Sequence, residues 1–377
     1  MISKILKDKN TLLYGKLFIV SIAVHWIIMF LGFFVFKQIE DPGSGFFAFF
    51  YEKFVVAGDT PHYINIAKNG YAAVGETANQ IVFYPLYPFL MKIFGFIFRD
   101  YFITGVFVSN VCLGISAIYM YKLCNRELGE NAAKDGFIIY LLYPLEAFLI
   151  SVYTESLFIM LTLMCLYYIR ENKWLIAGIT GLLAALSKSQ GIALFVPAVY
   201  EAVVYMVRNK RFYVKSLLVC LIPCGTGIYL LINKIVQGDF MAFVAHQAAE
   251  PWYNVSHWIS SNLSQHYGMA TDEGLFYLAI IIYWAQIILY FVGMVALFYG
   301  IKKKIAPSII AFGGAYMFLS YLHGWLISGP RYMLSCVTLY IIYAAIDNKI
   351  VKQVIFVIFG LLCVFCTLLM WRGDPIM

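Results

Sequence analysis

The strongest candidate for chemistry is Asp59, which lies in a Gly-Asp-Thr-Pro-His-Tyr segment at residues 58–63. A carboxylate followed three residues later by His62 can act as a general base. Asp59 also suits a helix N-cap, Pro61 suits a first helical turn and Gly70 suits a C-cap. The pattern therefore predicts a helix of about ten residues. It leaves open whether Asp59 takes part in chemistry or only caps that helix.

Two cations stand at the ends of apolar stretches. Lys188 lies in a Ser-Lys-Ser-Gln-Gly segment at residues 187–191, and Arg331 lies in a Ser-Gly-Pro-Arg-Tyr segment at residues 328–332. Charged residues so close to a membrane normally face a protein interior or a water-filled cavity. A guanidinium suits phosphate oxygens through two parallel hydrogen bonds. The pair indicates a phosphate site, and the alternatives are a snorkelling lysine and an arginine that anchors the chain at the interface.

Two acids bracket the turn between the apolar segments 136–151 and 154–169. Glu155 lies in a Tyr-Thr-Glu-Ser segment and could equally cap its helix. Glu146 is harder to explain as a surface residue, because Pro144 and an apolar run flank it. Both acids are therefore candidates for substrate contacts.

Several other polar and aromatic side chains are further candidates for substrate contacts. A histidine close to Asp59 would orient that carboxylate or contact a substrate. Aromatic rings can stack on a bound ligand, although aromatic residues also form belts at membrane interfaces. The candidate substrate contacts of this kind are His62, Tyr63, Tyr84, Tyr87, Gln190 and Trp252.

Motifs of several other enzyme classes are absent from the sequence. It contains no Asp-x-Asp, no P-loop, no His-Glu-x-x-His and no Gly-x-Ser-x-Gly. The eight cysteines lie in or beside apolar stretches, and no pair shows zinc-ligand spacing in a polar loop. We therefore expect no metal and no cofactor. The net charge of +7 forms no basic stripe with exposed aromatics, so nucleic acid is not an expected partner.

The elements that must position these groups follow from composition. Of 377 residues, 62% are hydrophobic and only 12% are charged, whereas a soluble domain has roughly 25% charged residues. That composition excludes a soluble enzyme, a disordered chain and a disulfide scaffold, and it indicates a polytopic membrane protein. Eleven segments are predicted to span the bilayer: 13–36, 103–122, 136–151, 154–169, 174–187, 190–207, 214–235, 275–300, 305–323, 331–347 and 352–371.

The orientation of the chain depends on residues 81–98, a twelfth apolar stretch. If this stretch lies along the membrane, 18 of the 27 Lys and Arg residues fall on one side, which is then the cytoplasmic side. Pro85 and Pro88 support that placement, because proline has no backbone N–H group. A carbonyl left without that hydrogen-bond donor finds no substitute donor in lipid. The N-terminus is then predicted inside and the C-terminus outside.

Two predicted extracytoplasmic segments are too long to be plain connections. They are residues 37–102 and residues 236–274, and we expect them to cap one shared cavity. With no internal repeat evident, residues 1–377 are expected to form a single membrane domain.

Four sequence blocks resemble the PIG-V family, the GPI mannosyltransferase II proteins, and in particular its prokaryotic relatives. They are the Asp-Thr-Pro-His-Tyr segment that begins at Asp59, the Phe-Tyr-Pro-Leu-Tyr-Pro segment at 83–88, the Tyr-Thr-Glu-Ser segment at 153–156 and the Pro-Arg-Tyr segment at 330–332. The resemblance covers residues 50–210 well and the C-terminal half mainly through the last block. Two positions depart from the family pattern: Gly58 replaces the usual tryptophan, and Lys188 replaces a more usual arginine.

The resemblance implies an all-α polytopic membrane protein of the GT-C class. That fold is a bundle of about eleven transmembrane helices with amphipathic helices in the first extracytoplasmic loop. The implied activity is inverting transfer of a sugar, with mannose expected, from a polyprenyl-phosphate sugar donor to a hydroxyl of a glycolipid or another extracytoplasmic acceptor. Asp59 would be the general base, and Lys188 and Arg331 would hold the donor phosphate.

The expected location is the cell membrane, with an extracytoplasmic active site. The alternative location is the endoplasmic reticulum membrane, with a lumenal site. The expected partners are the lipid donor, the lipid or glycan acceptor and membrane lipids. Two other functions stay open at this point: a flippase or transporter of lipid or lipid-linked sugar without chemistry, and a lipid-phosphate hydrolase or ligase on the same scaffold.

Overall fold

A computed structural model describes residues 9–272, 279–324 and 328–374. Over these ranges the chain is helical and contains no β-strand, with one isolated antiparallel bridge between Ser256 and His323. Three parts of the sequence predictions lie outside the described residues: Lys4 and Lys7 of the orientation argument, the end of the segment 236–274 at residues 273–274, and the start of the predicted span 275–300.

The first half of the chain alternates long and short helices. In order they are α1 (Lys9–Phe36), α2 (Phe46–Phe54), α3 (Thr60–Asn69), α4 (Leu86–Phe98), α5 (Tyr101–Leu128), α6 (Glu130–Leu142), α7 (Ala147–Ile150), α8 (Glu155–Arg170) and α9 (Trp174–Ser187). A 3₁₀ turn at Ala78–Val82 precedes α4, and another at Ser189–Leu194 follows α9.

The second half continues the bundle. Its helices are α10 (Phe195–Arg208), α11 (Leu221–Gln237), α12 (Ala242–Ala248), α13 (Ile259–Ala270), α14 (Ala285–Lys302), α15 (Pro307–Tyr321), α16 (Gly329–Leu334), α17 (Val337–Ala344) and α18 (Lys349–Arg372). A 3₁₀ turn at Val214–Cys220 leads into α11, and a π-helical turn at Ala279–Trp284 leads into α14.

Six helical stretches in the described ranges are long and apolar enough to cross a membrane: Asn10–Phe36, Tyr101–Leu128, Ser189–Arg208, Val214–Gln237, Ile282–Lys302 and Lys349–Arg372. Each corresponds to a predicted span. The other five predicted spans coincide with shorter apolar helices, namely α6 with α7, α8, α9, α15, and α16 with α17. The predicted all-α polytopic architecture is therefore confirmed.

The predicted helix after Asp59 is present with the expected ends. Helix α3 runs from Thr60 to Asn69, with Pro61 in its first turn and Gly70 directly after it at φ +78°. The side chain of Asp59, however, makes no capping hydrogen bond to the helix. The interpretation of Asp59 as a simple cap is therefore wrong, because its carboxylate points to another partner.

Helices α9 and α11 approach each other closely through glycines. A Cβ atom built on Gly178 of α9 would lie 2.2 Å from the carbonyl oxygen of Leu218, and one on Gly225 of α11 would lie 2.2 Å from the carbonyl oxygen of Leu182. Small residues at such crossings allow backbones to pack directly in membrane proteins. This contact fixes the end of α9, from which Lys188 follows.

Replacing Gly225 by alanine should lower the free energy of unfolding by about 1–3 kcal/mol, the usual cost of overpacking. The added methyl group would overlap the backbone of α9 at Leu182. The matched control is Gly227→Ala on the same helix, where a Cβ has open space. Thermal unfolding of the detergent-solubilised variants measures the difference, and equal melting temperatures would contradict the contact.

Candidate active site

Four charged side chains from distant parts of the sequence meet in one cluster. Arg331 of α16 contacts Asp59 through Nη1 and Oδ2 at 2.8 Å, and its Nε lies 3.1 Å from Oε1 of Glu155. The Nζ atom of Lys188 donates to the same Oε1 at 3.0 Å. Glu155 therefore bridges both cations, while Asp59 holds Arg331 from the other side.

The cluster lies mostly in the protein interior. The Glu155 side chain is 1% exposed and that of Lys188 10%, whereas Asp59 retains 17%. The Lys188 ammonium also lies over the rings of Phe158 and Tyr332, at 5.8 and 5.4 Å from their centroids. Burial lowers the pKa of Lys188, and the carboxylate of Glu155 opposes part of that decrease.

Lys188 is therefore not a snorkelling residue, and that alternative is wrong. Its backbone is extended, with φ −160° and ψ 146°, so the chain leaves α9 at this point and turns the side chain inward. The next turn packs directly on α9, since a Cβ on Gly191 would lie 2.4 Å from the carbonyl of Ala184. The Ser-Lys-Ser-Gln-Gly segment thus places its charge at the cluster through a tight break between two helices.

A cavity of about 340 Å³ opens beside the cluster. Three charged residues line it: Asp59, Lys188 and Arg331. The other lining side chains are polar or aromatic, with few aliphatic ones. They include Tyr63, Phe83, Tyr84, Thr154, Gln190, Gln247, Trp252, Asn254, His323 and Tyr332. Both long segments proposed from the sequence, 37–102 and 236–274, contribute residues to this one cavity.

One wall of the cavity is a set of packed rings backed by His62. The imidazole stacks on Phe83 at 4.9 Å between centroids and meets Trp252 edge-on at 5.2 Å. Gln80 donates to His62 Nδ1 at 3.2 Å and itself accepts from Asn65 at 2.6 Å. Burial lowers the pKa of His62, with the charge of Asp59 opposing the shift. His62 therefore supports the wall from behind and is not among the lining residues.

The adjoining part of the wall is held by hydrogen bonds to backbone oxygens. Tyr71 donates to the Phe83 oxygen at 2.6 Å, and Tyr229 of α11 donates to the Ile81 oxygen at 2.8 Å. The Tyr229 ring also stacks on Tyr84 at 4.0 Å. Because α11 is fixed against α9, the position of this wall is tied to that of Lys188.

Besides His62, three sequence-predicted contact residues do not line the cavity. Tyr87 is fully buried, and its hydroxyl donates to the Gly105 oxygen at 2.9 Å. Glu146 is also fully buried, and its carboxylate accepts a hydrogen bond from Thr367 of α18. Glu155 lies behind the two cations and does not line the cavity. The sequence selected these groups by residue type and position, but the direction in which each side chain points depends on packing.

Some lining residues were not identified from the sequence. Thr154 and Tyr332 each adjoin a residue that was, so the motifs around Glu155 and Arg331 carried a usable signal. Gln247 lies in α12, in a stretch of sequence with no motif. His323 reaches the cavity at the end of α15, where Ser256 forms a backbone bridge to it. No local pattern distinguishes these last two residues.

Gly58, which departs from the family pattern, has a steric explanation. Its φ is +48°, and an added Cβ would lie 2.4 Å from the hydroxyl oxygen of Tyr153. Tyr153 thus occupies the space that a larger residue would need at this position. The tight contact also fixes the backbone immediately before Asp59.

Gly58→Ala should destabilise the protein by about 1–3 kcal/mol, because a positive φ and a steric overlap combine at this position. Tyr153→Phe in the same background removes the overlapping oxygen and should recover part of the loss. Gly45→Ala, at the start of α2 where a Cβ meets nothing within 4 Å, is the control. The measurement is the melting temperature of the wild type, the two single variants and the double variant. A melting temperature of Gly58→Ala equal to that of the wild type would disprove the packing argument.

We searched the described residues for side chains that could bind a metal ion. Among residues 9–272, 279–324 and 328–374, no group of three or more His, Cys, Asp or Glu side chains is arranged to hold a metal ion.

The helical bundle and its spans define a multi-pass membrane protein. The solved structure of ArnT from Cupriavidus metallidurans bound to undecaprenyl phosphate is similar to it, with a TM-score of 0.53 and 13% sequence identity. That similarity covers 90% of this chain and 62% of the ArnT chain, so this chain spans less than two thirds of that neighbour. At this identity the likeness establishes the fold, and the predicted GT-C fold class is confirmed.

A protein family and a second solved structure are also similar to parts of this chain. A family described as dolichyl-phosphate-mannose-protein mannosyltransferase matches residues 84–237, a region that contains Glu155 and Lys188. The Archaeoglobus fulgidus oligosaccharyltransferase, solved in complex with zinc and sulfate, has a TM-score of 0.46 and 13% identity, covering 84% of this chain and 48% of that one. No curated protein matches the sequence.

Proposed function

We propose that this protein is a membrane glycosyltransferase of the GT-C type. It moves a sugar, mannose, from a polyprenyl-phosphate donor to a hydroxyl of a glycolipid or other extracytoplasmic acceptor. The observation that carries the proposal is that Asp59, Lys188 and Arg331 line one cavity, with 2.8 Å between the Asp59 carboxylate and the Arg331 guanidinium.

Several likenesses support the donor class. ArnT, which shares the fold, was solved with undecaprenyl phosphate, and the family that matches residues 84–237 is described as using dolichyl-phosphate mannose. The sequence blocks similar to the PIG-V family point to the same donor and to mannose. A lipid-phosphate donor also brings its own leaving group, and it needs a cationic site beside a membrane-embedded bundle.

Asp59 acts as the general base in this proposal. Its contact with Arg331 engages Oδ2, and a carboxylate has a second oxygen that can accept a proton. The acceptor hydroxyl attacks the anomeric carbon as its proton passes to Asp59, and the bond from that carbon to the phosphate oxygen breaks. Attack opposite the leaving group inverts the anomeric configuration.

Lys188 and Arg331 bind the phosphate and stabilise the charge that grows on it. Donors that are already oriented need no reorganisation during the reaction, which is why such sites lower the barrier effectively. Here the orientation comes from Glu155, which contacts both cations, and from the rings under them. Phe83, Tyr84 and Trp252 offer aromatic surfaces for the sugar or the prenyl chain.

The active site faces the extracytoplasmic side in this proposal, because the positive residues of the predicted loops favour the opposite side as cytoplasmic. The cell membrane is then the location, with the lumen of the endoplasmic reticulum as the equivalent side in a eukaryotic cell.

A product analysis tests the activity against its alternatives. Purified protein is incubated with radiolabelled polyprenyl-phosphate mannose and a lipid extract. A labelled glycolipid supports the transferase. Free labelled sugar would indicate the hydrolase, and unchanged donor that crosses proteoliposome membranes would indicate the flippase.

Asp59→Asn should lower turnover in this assay by about 10²–10⁴-fold, the usual contribution of a proton-transfer residue. The variant should still be extracted and should elute from a sizing column like the wild type. Asp239→Asn is the matched control, because Asp239 is exposed and its contact with the Met241 backbone N–H can be kept by an amide oxygen. Wild-type turnover from Asp59→Asn would refute the assignment.

A further inference from the structure

The two acids of the cluster hold Arg331 in different ways. Glu155 is 1% exposed, contacts both cations through one oxygen and lies behind the cavity. Asp59 is 17% exposed and lines the cavity. Within the part of the chain that the structure describes, its ion-pair partner is Arg331 alone. One acid is therefore a permanent interior partner, and the other is accessible to substrate.

The reaction itself moves charge between the groups that Arg331 can reach. In the transfer proposed above, the bond between the anomeric carbon and the phosphate oxygen breaks, and its electron pair stays on that oxygen. The bound phosphate diester carries one negative charge, and the departing phosphate monoester gains a second. The acceptor's proton neutralises Asp59, so the sum of charges in the site does not change.

We propose that Arg331 exchanges its ion-pair partner during this step, so that its contact with Asp59 is replaced by a contact with the leaving phosphate. We call this exchange a handover. The contact between Arg331 and Glu155 is kept throughout. Once Asp59 is protonated, its attraction for Nη1 is lost at the moment that the phosphate becomes more negative. Glu155 is the positioning residue, because its contacts with Nε of Arg331 at 3.1 Å and with Lys188 at 3.0 Å do not involve the reacting groups.

The geometry favours such an exchange in several respects. Asp59 and Glu155 contact different nitrogens of Arg331, so loss of one contact leaves the other intact. The guanidinium also rests on two rings, with its central carbon 5.6 Å from the Phe148 centroid and 5.5 Å from that of Tyr153. These rings support the guanidinium at a position next to both Asp59 and the cavity.

Binding of the product lipid tests this inference, which rests on the proposed function. Undecaprenyl phosphate is titrated into purified protein, with tryptophan fluorescence as the readout and no turnover required. Asp59→Asn mimics the protonated acid and should bind this lipid about tenfold more tightly or better, as expected for a change in one close charge contact. Glu155→Gln should bind it more weakly than the wild type, because both cations lose their anchor.

The opposite signs distinguish a handover from net charge alone. Both variants remove one negative charge, so an effect of net charge would tighten binding equally in the two. Equal tightening, or an Asp59→Asn affinity no better than that of the wild type, would overturn the inference. Asp239→Asn and the exposed Glu76→Gln are the controls and should match the wild type.

The design keeps the two proposals separable. If Glu155→Gln fails to fold, Glu155→Asp retains the charge with a shorter reach and should bind more weakly than the wild type, and absence of tighter binding by Asp59→Asn still overturns the inference. If the wild type does not bind undecaprenyl phosphate at all, the donor class falls and this inference falls with it. If the wild type binds and Asp59→Asn shows no gain, only the handover is lost.

Discussion

The contact of one buried carboxylate with two cations governs the arrangement of this site. A lysine and an arginine cannot remain charged in a protein interior without a partner, because the cost of removing them from water is several kcal/mol per ion. Glu155 supplies that partner for both Lys188 and Arg331. Since the three residues follow or belong to α8, α9 and α16, the pairing requires these elements to meet at one level. The cavity exists beside that meeting point.

The surrounding packing serves the same end. Glycines at the crossing of α9 and α11 let the backbones approach, and this fixes the point at which the chain turns toward Lys188. Tyr229 on α11 then holds the Ile81 backbone and the Tyr84 ring. The cation side and the aromatic side of the cavity are thus connected through one pair of helices. A displacement of either helix would alter both sides together.

Exposure and ion-pair partners distinguish Asp59 from Glu155, although the two acids occur in similar sequence contexts. Asp59 and Glu155 each sit just before or at the start of a helix, in motifs of similar polarity. The structure gives Asp59 access to the cavity and gives Glu155 a buried position behind the cations. An accessible carboxylate suits proton transfer, whereas a buried one with two permanent partners suits support. Their different roles in the proposed mechanism follow from depth and not from residue type.

The sequence by itself determined the membrane character, the positions of the helices and the ends of α3, because hydrophobic composition and the local effects of Pro61 and Gly70 act over a few residues. It also selected Asp59, Lys188 and Arg331, since charges next to apolar segments need a partner or a cavity. Only the tertiary structure decided that Glu155 joins both cations, and that Glu146 and Tyr87 bond elsewhere. Those outcomes depend on which helix faces which across large sequence separations, and side-chain direction at such contacts is fixed by packing of the whole bundle.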